Sequence, residues 1–310
     1  MDISGIFNID KPAGYTSFQV VSLVRRLSGV RRVGHAGTLD PSATGVLVVC
    51  LGQATRLTEY MMEATKVYRA EVHLGITTDT LDATGKPLSQ ADPSNISRQQ
   101  VEDALTAFVG EIDQVPPMFS ALKHGGEPLY RYARAQRQVE RQARRVTIYR
   151  LQFLAFQPPL ATIEVECGKG TYIRALAHDL GQQLGCGAHL AALARLRVGP
   201  FTLDDACSLP ELEAAFQEGC WQSLLHPADA ALTSWPAVTL SEAQERAVRF
   251  GQCLAADSLE LSPAQAVEND QLCRAYSPQG QLVAIVRYDA DALLWRPAKV
   301  FAAAERAQEA

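Results

Sequence analysis

The sequence predicts an α+β protein of two domains, and three observations predict it. Strand and helix patterns are mingled over residues 1–236. Residues 66–74 alternate, with Val67, Arg69, Glu71 and His73 on one face and Tyr68, Ala70, Val72 and Leu74 on the other, the period of a half-buried strand. Residues 172–184 instead space Ile173, Leu176, Ala177 and Leu180 as one helical face. The second observation is length: 310 residues, 47% of them hydrophobic, exceed a usual single domain and support a sizeable core. The third is punctuation. Pro227 and Pro236 interrupt the chain, and the apolar runs beyond them, 282–288 and 293–301, have strand character. The expected division is a larger domain over 1–236 and a small β domain over 237–310.

Charge is divided unevenly along the chain. The net charge is −5, yet residues 1–200 carry 22 Lys and Arg against 18 Asp and Glu, and residues 201–310 carry 7 against 16. A polyanionic partner is therefore expected on the N-terminal part. The seven cysteines, Cys50, Cys167, Cys186, Cys207, Cys220, Cys253 and Cys273, are odd in number and irregularly spaced, with no Cys-x-x-Cys. That argues against a disulfide framework and for a reducing compartment. Cys186 and His189 have a ligand-like gap, but no second pair accompanies them, so no metal site is expected. No nucleotide-binding fingerprint is present, and no cofactor is expected. No run reaches the roughly 18 apolar residues of a membrane span, and the N-terminus lacks an apolar signal core. The chain is expected to be soluble, cytoplasmic and free of membrane contact.

In chain order, residues 5–10 form a short apolar strand closed by Lys11-Pro12 and Gly14. Thr16-Ser17 can cap a helix on which Phe18, Val20, Val21, Leu23, Val24 and Leu27 make an apolar face, with Arg25 and Arg26 near its C-terminal end. Arg31 and Arg32 follow, facing either phosphate or solvent. The next stretch, residues 34–41, reads Gly-His-Ala-Gly-Thr-Leu-Asp-Pro, with Ala43-Thr44-Gly45-Val46-Leu47 after it. Gly34 and Gly37 allow backbone angles closed to other residues. Pro41 fixes its own φ and biases Asp40 towards an extended conformation. Asp40 thus sits in a stiff loop ahead of a buried strand beginning at Val46. A carboxylate mounted this way serves as a nucleophile or general base, or caps local N–H groups in an Asx turn; the spacing is compatible with both. Residues 53–62 read as a helix. Tyr68, on the more apolar face of its strand, reads by itself as a core residue. Residues 75–85 read as a polar turn containing Asp79 and Asp82, and 97–109 as a helix capped by Ser97.

Residues 116–150 are unusual. Pro116-Pro117 opens the segment and Gly125-Gly126 breaks it. From residue 130 onwards it carries Arg131, Arg134, Arg137, Arg141, Arg144, Arg145 and Arg150 against one acid, Glu140. Arg134, Arg137 and Arg141 fall at helical i, i+3 and i+7, which predicts one strongly positive face. A solvated surface is one reading; the charge excess favours contact with RNA phosphates. Residues 150–156 and 161–167 then look like a strand pair joined through Pro158-Pro159. Gly168-Lys169-Gly170 leads to the helix of 172–184. His189, Leu190, Leu193 and Leu196 suggest another apolar helical stripe, ended by Pro200-Phe201, and 210–225 an acidic helix.

Six collinear blocks carry a resemblance. Residues 34–45 are similar to the catalytic loop of the bacterial tRNA pseudouridine-55 synthases, the TruB family. Gly5 through Gly14 resembles that family's first strand and Lys-Pro turn. The other blocks are Lys66-Val67-Tyr68-Arg69-Ala70, Pro117-Met118-Phe119-Ser120-Ala121-Leu122-Lys123, Lys169-Gly170-Thr171-Tyr172-Ile173-Arg174, and Leu184 to Leu190. Together they cover about residues 5–200.

The resemblance implies a catalytic domain on a mixed, largely antiparallel sheet, the pseudouridine synthase fold. A thumb insertion at 116–150 would close over an RNA stem-loop, and the tail would be PUA-like. The implied reaction turns uridine 55 in the T loop of tRNA into pseudouridine: the base is flipped out, detached from C1′, rotated and rejoined through C5. Asp40 would be the nucleophile or base, held ionised by Arg174. Tyr68 would stack on the flipped base, Tyr172 would pack in the pocket and Leu193 would line it. His35 would wedge into the loop where the base left, or be a plain loop residue. Lys11, Lys123, Arg131, Arg134, Arg137 and Arg141 would contact RNA. The expected partner is the tRNA T stem-loop, met by a monomer without guide RNA, metal or cofactor. Two alternatives are a non-catalytic tRNA chaperone and a guide-RNA-dependent synthase of the archaeal and eukaryotic type. Intact Asp40, Tyr68 and Arg174 argue against the first. The acidic tail and the lack of a long basic extension argue against the second.

Overall fold

The structure, a computed structural model, describes residues 3–301 except 121, 136, 138 and 262–266, and the backbone alone of Arg134. An 11-stranded sheet organises its larger part. The main order is Cys207–Ser208, Gly5–Lys11, Thr44–Leu51, Ala188–Val198, Lys66–Leu74, Leu160–Cys167, Arg144–Gln157 and Gly110–Gln114. Thr44–Leu51 is buried along almost its whole length, because both faces of a central strand are covered and both sets of side chains must be apolar. Two pairings are parallel, Gly5–Lys11 with Cys207–Ser208 and Ala188–Val198 with Thr44–Leu51. The others are antiparallel, so the sheet is mixed and largely antiparallel, as expected.

Helix Ser17–Ser28 starts at a Thr16 capping box closed by Gln19 and ends at Gly29 in the left-handed region, each device satisfying orphan backbone groups. Its buried face is Ser17, Val20, Val21 and Val24. Phe18, expected on that face, is 69% exposed. The i, i+3, i+4, i+7 stripe is centred on Ser17, whose hydroxyl is drawn inward to the Leu39 backbone, and this rotates Phe18 outward. Helix Ile173–Gln183 buries Ile173, Leu176, Ala177 and Leu180 as expected, packed on the sheet with Val72, Ile163 and Val165. Helix Arg98–Thr106 carries the expected Ser97 cap. The run from residue 52 is a 3-10 turn, Gly52–Leu57, followed by helix Thr58–Glu63.

Three expectations are corrected. Ala188–Val198 is a strand, not a helix. Its Ala, Leu and Arg residues favour helix, but the slot between Thr44–Leu51 and Lys66–Leu74 imposes extended backbone, and tertiary context overrides propensity. Register shifts between Leu190 and Ala192 and between Arg195 and Arg197 break the two-residue period that would have revealed it. The positive helix at 130–150 is also absent. Helix Leu129–Arg134 is short, and Arg144 already begins a 14-residue strand, whose Val146 and Ile148 alternate into the core. Arg137 and Arg141 therefore share no helical face with Arg134. Part of the charge excess is answered locally: Arg145 pairs with Glu111 and Asp113, Arg150 with Glu164 and Glu166, and Arg131 with Glu127. Finally, the polar turn at 75–85 contains strand Ile76–Thr78, paired with Pro87–Gln90.

A five-stranded sheet runs from Ala237–Thr239 through Leu272–Tyr276, Leu282–Asp289 and Leu294–Val300 to Leu254–Ala255. It wraps Val238, Cys273, Val286 and Trp295. Its Ile285 joins a cluster containing Val46, Val48 and Met61 of the larger part. Replacing buried Trp295 by alanine is expected to cost about 3–5 kcal/mol, whereas Phe18→Ser is expected to stay within about 0.5 kcal/mol of the parent. Urea denaturation of both variants checks the two burial assignments against each other.

Candidate active site

The Asp40 loop is held from outside. Ser17 Oγ donates to Leu39 O at 3.1 Å and accepts from Leu39 N at 2.9 Å. Gly14 N donates to Pro41 O at 2.8 Å, and Ala36 N to Val48 O at 2.9 Å. Gly37 has φ +106°, a value that favours glycine. The carboxylate does not cap its own turn. It faces Arg174, with Nε 3.0 Å from Oδ2 and Nη2 3.3 Å from Oδ1, the two-pronged geometry natural to a guanidinium and a carboxylate.

Arg174 is only 6% exposed. Its Nη2 also donates to Phe119 O at 2.8 Å and its Nη1 to Thr80 O at 3.3 Å. Nη1 lies 3.5 Å from Asp82 Oδ2. The preceding Tyr172, at the helix N-cap, is clamped by buried Gln114, which accepts from Tyr172 N at 2.7 Å and donates to Tyr172 O at 3.0 Å. Burial raises the Tyr172 phenol pKa.

Asp82 was missed as a site residue. Its Oδ1 accepts from Thr80 Oγ1 at 2.7 Å and from Thr84 N at 3.0 Å. The Thr-x-Asp-x-Thr spacing signals such a turn, but nothing in it points to Arg174 across the chain. The two carboxylates differ in access: the Asp40 side chain is 37% exposed and that of Asp82 is 9%. Burial pushes the Asp40 pKa above its ordinary value; Arg174 and Lys11 pull it down, and Asp82 pushes it up. Arg174 thus offsets the cost of burial only in part, and the net direction is upward.

Tyr68 and Leu193 lie on neighbouring strands. Tyr68 sits opposite Arg195, and Leu193 opposite Ala70. Both are half-buried and pack against the two core clusters that flank the site. Burial raises the Tyr68 phenol pKa, with Arg195 pulling against it. Asp40, Ala43, Asp82, Arg174, Leu190 and Leu193 line one cleft. His35 closes the short strand Val33–His35. Its Nδ1 is buried without a hydrogen-bond partner among the described residues. Burial, helped by Arg195, lowers its pKa, so the ring is neutral at pH 7.

Lys11 is corrected from an RNA contact to a strut. It is fully buried, and its Nζ donates to Tyr15 O at 2.8 Å, Pro12 O at 2.9 Å and Pro41 O at 3.4 Å. Burial lowers its pKa to about 8. Lys123, Arg131 and Arg137 are exposed. Arg141 Nη1 donates to Pro116 O at 3.0 Å, and the Arg134 side chain lies outside the described residues. Among the described residues, no group of three His, Cys, Asp or Glu is arranged to hold a metal ion.

A carboxylate and a buried arginine thus line one cleft of a mixed sheet, with an aromatic ring, Tyr68, on a strand beside it. Residues 25–173 match the TruB family pseudouridylate synthase N-terminal domain, and residues 174–233 the tRNA pseudouridylate synthase B C-terminal domain. The tRNA pseudouridine synthase B of Syntrophotalea carbinolica is 51% identical over 238 residues, 77% of this chain and 78% of that one. That of Dehalococcoides mccartyi is 44% identical over 299 residues, 96% and 97% of the two chains. Among solved structures, a Cbf5-Nop10-Gar1 complex superposes with a TM-score of 0.76 at 27% identity, over 96% of this chain and 85% of that one. The chain belongs to the TruB family of tRNA pseudouridine synthases.

Opposing shifts follow from the charges around Asp40. A carboxylate whose pKa is raised loses its charge as pH falls through the raised value, so the acid limb of the rate should lie above the ordinary carboxylate range. Arg174→Gln removes the cation that lowers this pKa and should move the limb to higher pH. Asp82→Asn removes the like charge that raises it and should move the limb to lower pH. Single-turnover rates across the acidic to neutral range check both directions.

Proposed function

We propose that this enzyme isomerises uridine 55 in the T loop of tRNA, with Asp40 opening the reaction. The carrying observation is the half-exposed Asp40 carboxylate, paired with Arg174 and sharing its cleft with Leu193 beside Tyr68. Asp82 is the other carboxylate in the cleft, but Arg174, Thr80 and Thr84 occupy it. The reaction breaks N1–C1′, forms C5–C1′, moves the C5 proton to solvent and places a proton on N1. Nothing is oxidised or reduced. The Tyr68 ring offers a stacking face for the extruded base, and its phenol stays protonated at neutral pH. Tyr172 and Leu193 wall the pocket. A neutral His35 ring suits a wedge between bases, because it carries no charge into the stack.

The reading extends to partner and organisation. Residues 1–236 form the catalytic domain and residues 237–310 the PUA-like tail. The thumb is read as 116–143, since the strand claims the chain from Arg144. The partner is the T stem-loop, met by a monomer in the cytoplasm. The identity to tRNA pseudouridine synthase B relatives, 44% over 96% of the chain, exceeds the 27% to the Cbf5 complex and favours action without guide RNA. Exposed Lys123 and Arg137 supply phosphate contacts. Each replaced by alanine is expected to flatten the salt dependence of tRNA binding by about one charge. Arg145→Ala, already answered by Glu111 and Asp113, should change it less. Filter binding over a salt series checks the ranking.

Asp40→Asn is expected to abolish conversion while leaving tRNA binding near that of the parent. A folded-state pKa raised above the unfolded value contributes stability only at low pH, and that contribution disappears as pH rises through the folded value. The uncharged amide removes this penalty, so the melting temperature at neutral pH should not fall. Single-turnover conversion of an unmodified T-arm transcript, filter binding and a thermal melt test the three statements. Substantial conversion by Asp40→Asn would move the chemistry to another residue.

A further inference from the structure

Arg195 stands where three strands meet. Its register partners are Gly45 on the strand that follows the Asp40 loop and Tyr68 on the strand beyond. The side chain is 1% exposed and has no carboxylate partner among the described residues. Its acceptors are backbone carbonyls: Nε donates to Val46 O at 2.7 Å, Nη2 to Gly37 O at 3.0 Å and Nη1 to Thr38 O at 3.5 Å. A buried charge without a carboxylate partner destabilises a fold relative to an apolar side chain of the same volume, and here carbonyls and the Tyr68 hydroxyl answer it. Core packing therefore does not explain an arginine here.

The bonded carbonyls do. Gly37 and Thr38 precede Asp40, and Val46 follows it, so one guanidinium ties both limbs of the catalytic loop across its neck. The same group faces the Tyr68 phenol. The backbone leaves no slack at this crossing. Gly45 has φ +97°, and a Cβ on it would lie 2.2 Å from Arg195 O. A register shift between Arg195 and Arg197 marks a bulge of the kind that re-aims side chains.

We propose that Arg195 is the positioning residue that sets the gap between Asp40 and Tyr68, in which the target uracil is held. It touches neither base nor sugar and acts through the loop and the phenol. The planar fork is what the task needs, since its donors reach several acceptors at once, whereas a lysine offers one compact charge. The inference rests on the reading of Asp40 and Tyr68 given above.

The test compares Arg195→Lys, Arg195→Met and Asp40→Asn in single-turnover conversion of a T-arm transcript, with filter binding, thermal melts and the pH profile of the rate. Both Arg195 variants are expected to lose about 100-fold in rate, the cost of an ångström-scale misplacement, with RNA affinity near that of the parent. The acid limb should stay in place, because the Asp40 shift arises from burial, Arg174, Asp82 and Lys11. A merely structural role would let water into the loop, and the limb would fall towards the ordinary carboxylate range together with affinity and melting temperature; that result overturns the proposal. Full activity of Arg195→Lys also overturns it, since charge alone would then suffice, and this variant decides the question if Arg195→Met does not fold. If Asp40→Asn keeps converting, the reading of the site fails. If it is inactive while Arg195→Lys is fully active, only the positioning role fails.

Discussion

A single buried guanidinium is shared by two carboxylates, and the local structure is arranged to make that sharing possible. Asp40 and Asp82 approach the same Arg174 from different loops. Without the cation, two like charges in a poorly solvated cleft could not both stay ionised. A buried arginine in turn needs every donor answered. That is why carbonyls of Thr80 and Phe119 complete its shell. The loop after the Lys66–Leu74 strand, the segment at Phe119 and the start of helix Ile173–Gln183 are thereby tied to one point. Tyr172, two residues before Arg174, is clamped by Gln114 from the edge of the sheet, so the helix begins where the ion pair requires.

The sheet supplies the distances. Asp40 precedes the central strand, Leu193 lies on the strand beside it, and Tyr68 on the next. Adjacent strands lie about 4.8 Å apart, a separation that hydrogen bonding keeps rigid. Residues placed on neighbouring strands hold their spacing better than residues on loops. Asp40 is the exception, being on a loop. It needs Ser17, Lys11 and Arg195 to pin its flanks to rigid elements.

Sequence revealed what is local. The Thr16 and Ser97 caps, the alternation through Tyr68, the Pro158-Pro159 strand pair and the stiff loop at Asp40 are all written in neighbouring residues. Two kinds of feature were illegible. The Ala188–Val198 strand is composed for helix, and its bulges erase the strand period, so only its slot in the sheet makes it extended. Asp82 and Arg195 act through partners far along the chain. A buried arginine and an exposed one read alike until the fold shows what surrounds them. Lys11 and the arginines of 131–150 show the same limit from the other side: resemblance offered the first and charge the others as RNA contacts, yet Lys11 is spent inside the protein and Arg131, Arg145 and Arg150 face acids.

This bears on how an acidic protein receives a polyanion. The net charge of −5 opposes long-range attraction, and the paired arginines add little to it. The cations near Asp40 do not change that balance. Arg174 lines the cleft, but Lys11 and Arg195 are buried behind the loop, and Asp10 also acts on Lys11. Buried charges are screened less by salt than surface ones, so Lys11 and Arg174 act on the Asp40 carboxylate itself. Attraction of a polyanion falls instead to exposed side chains such as Lys123 and Arg137, whose effect is local and salt-dependent.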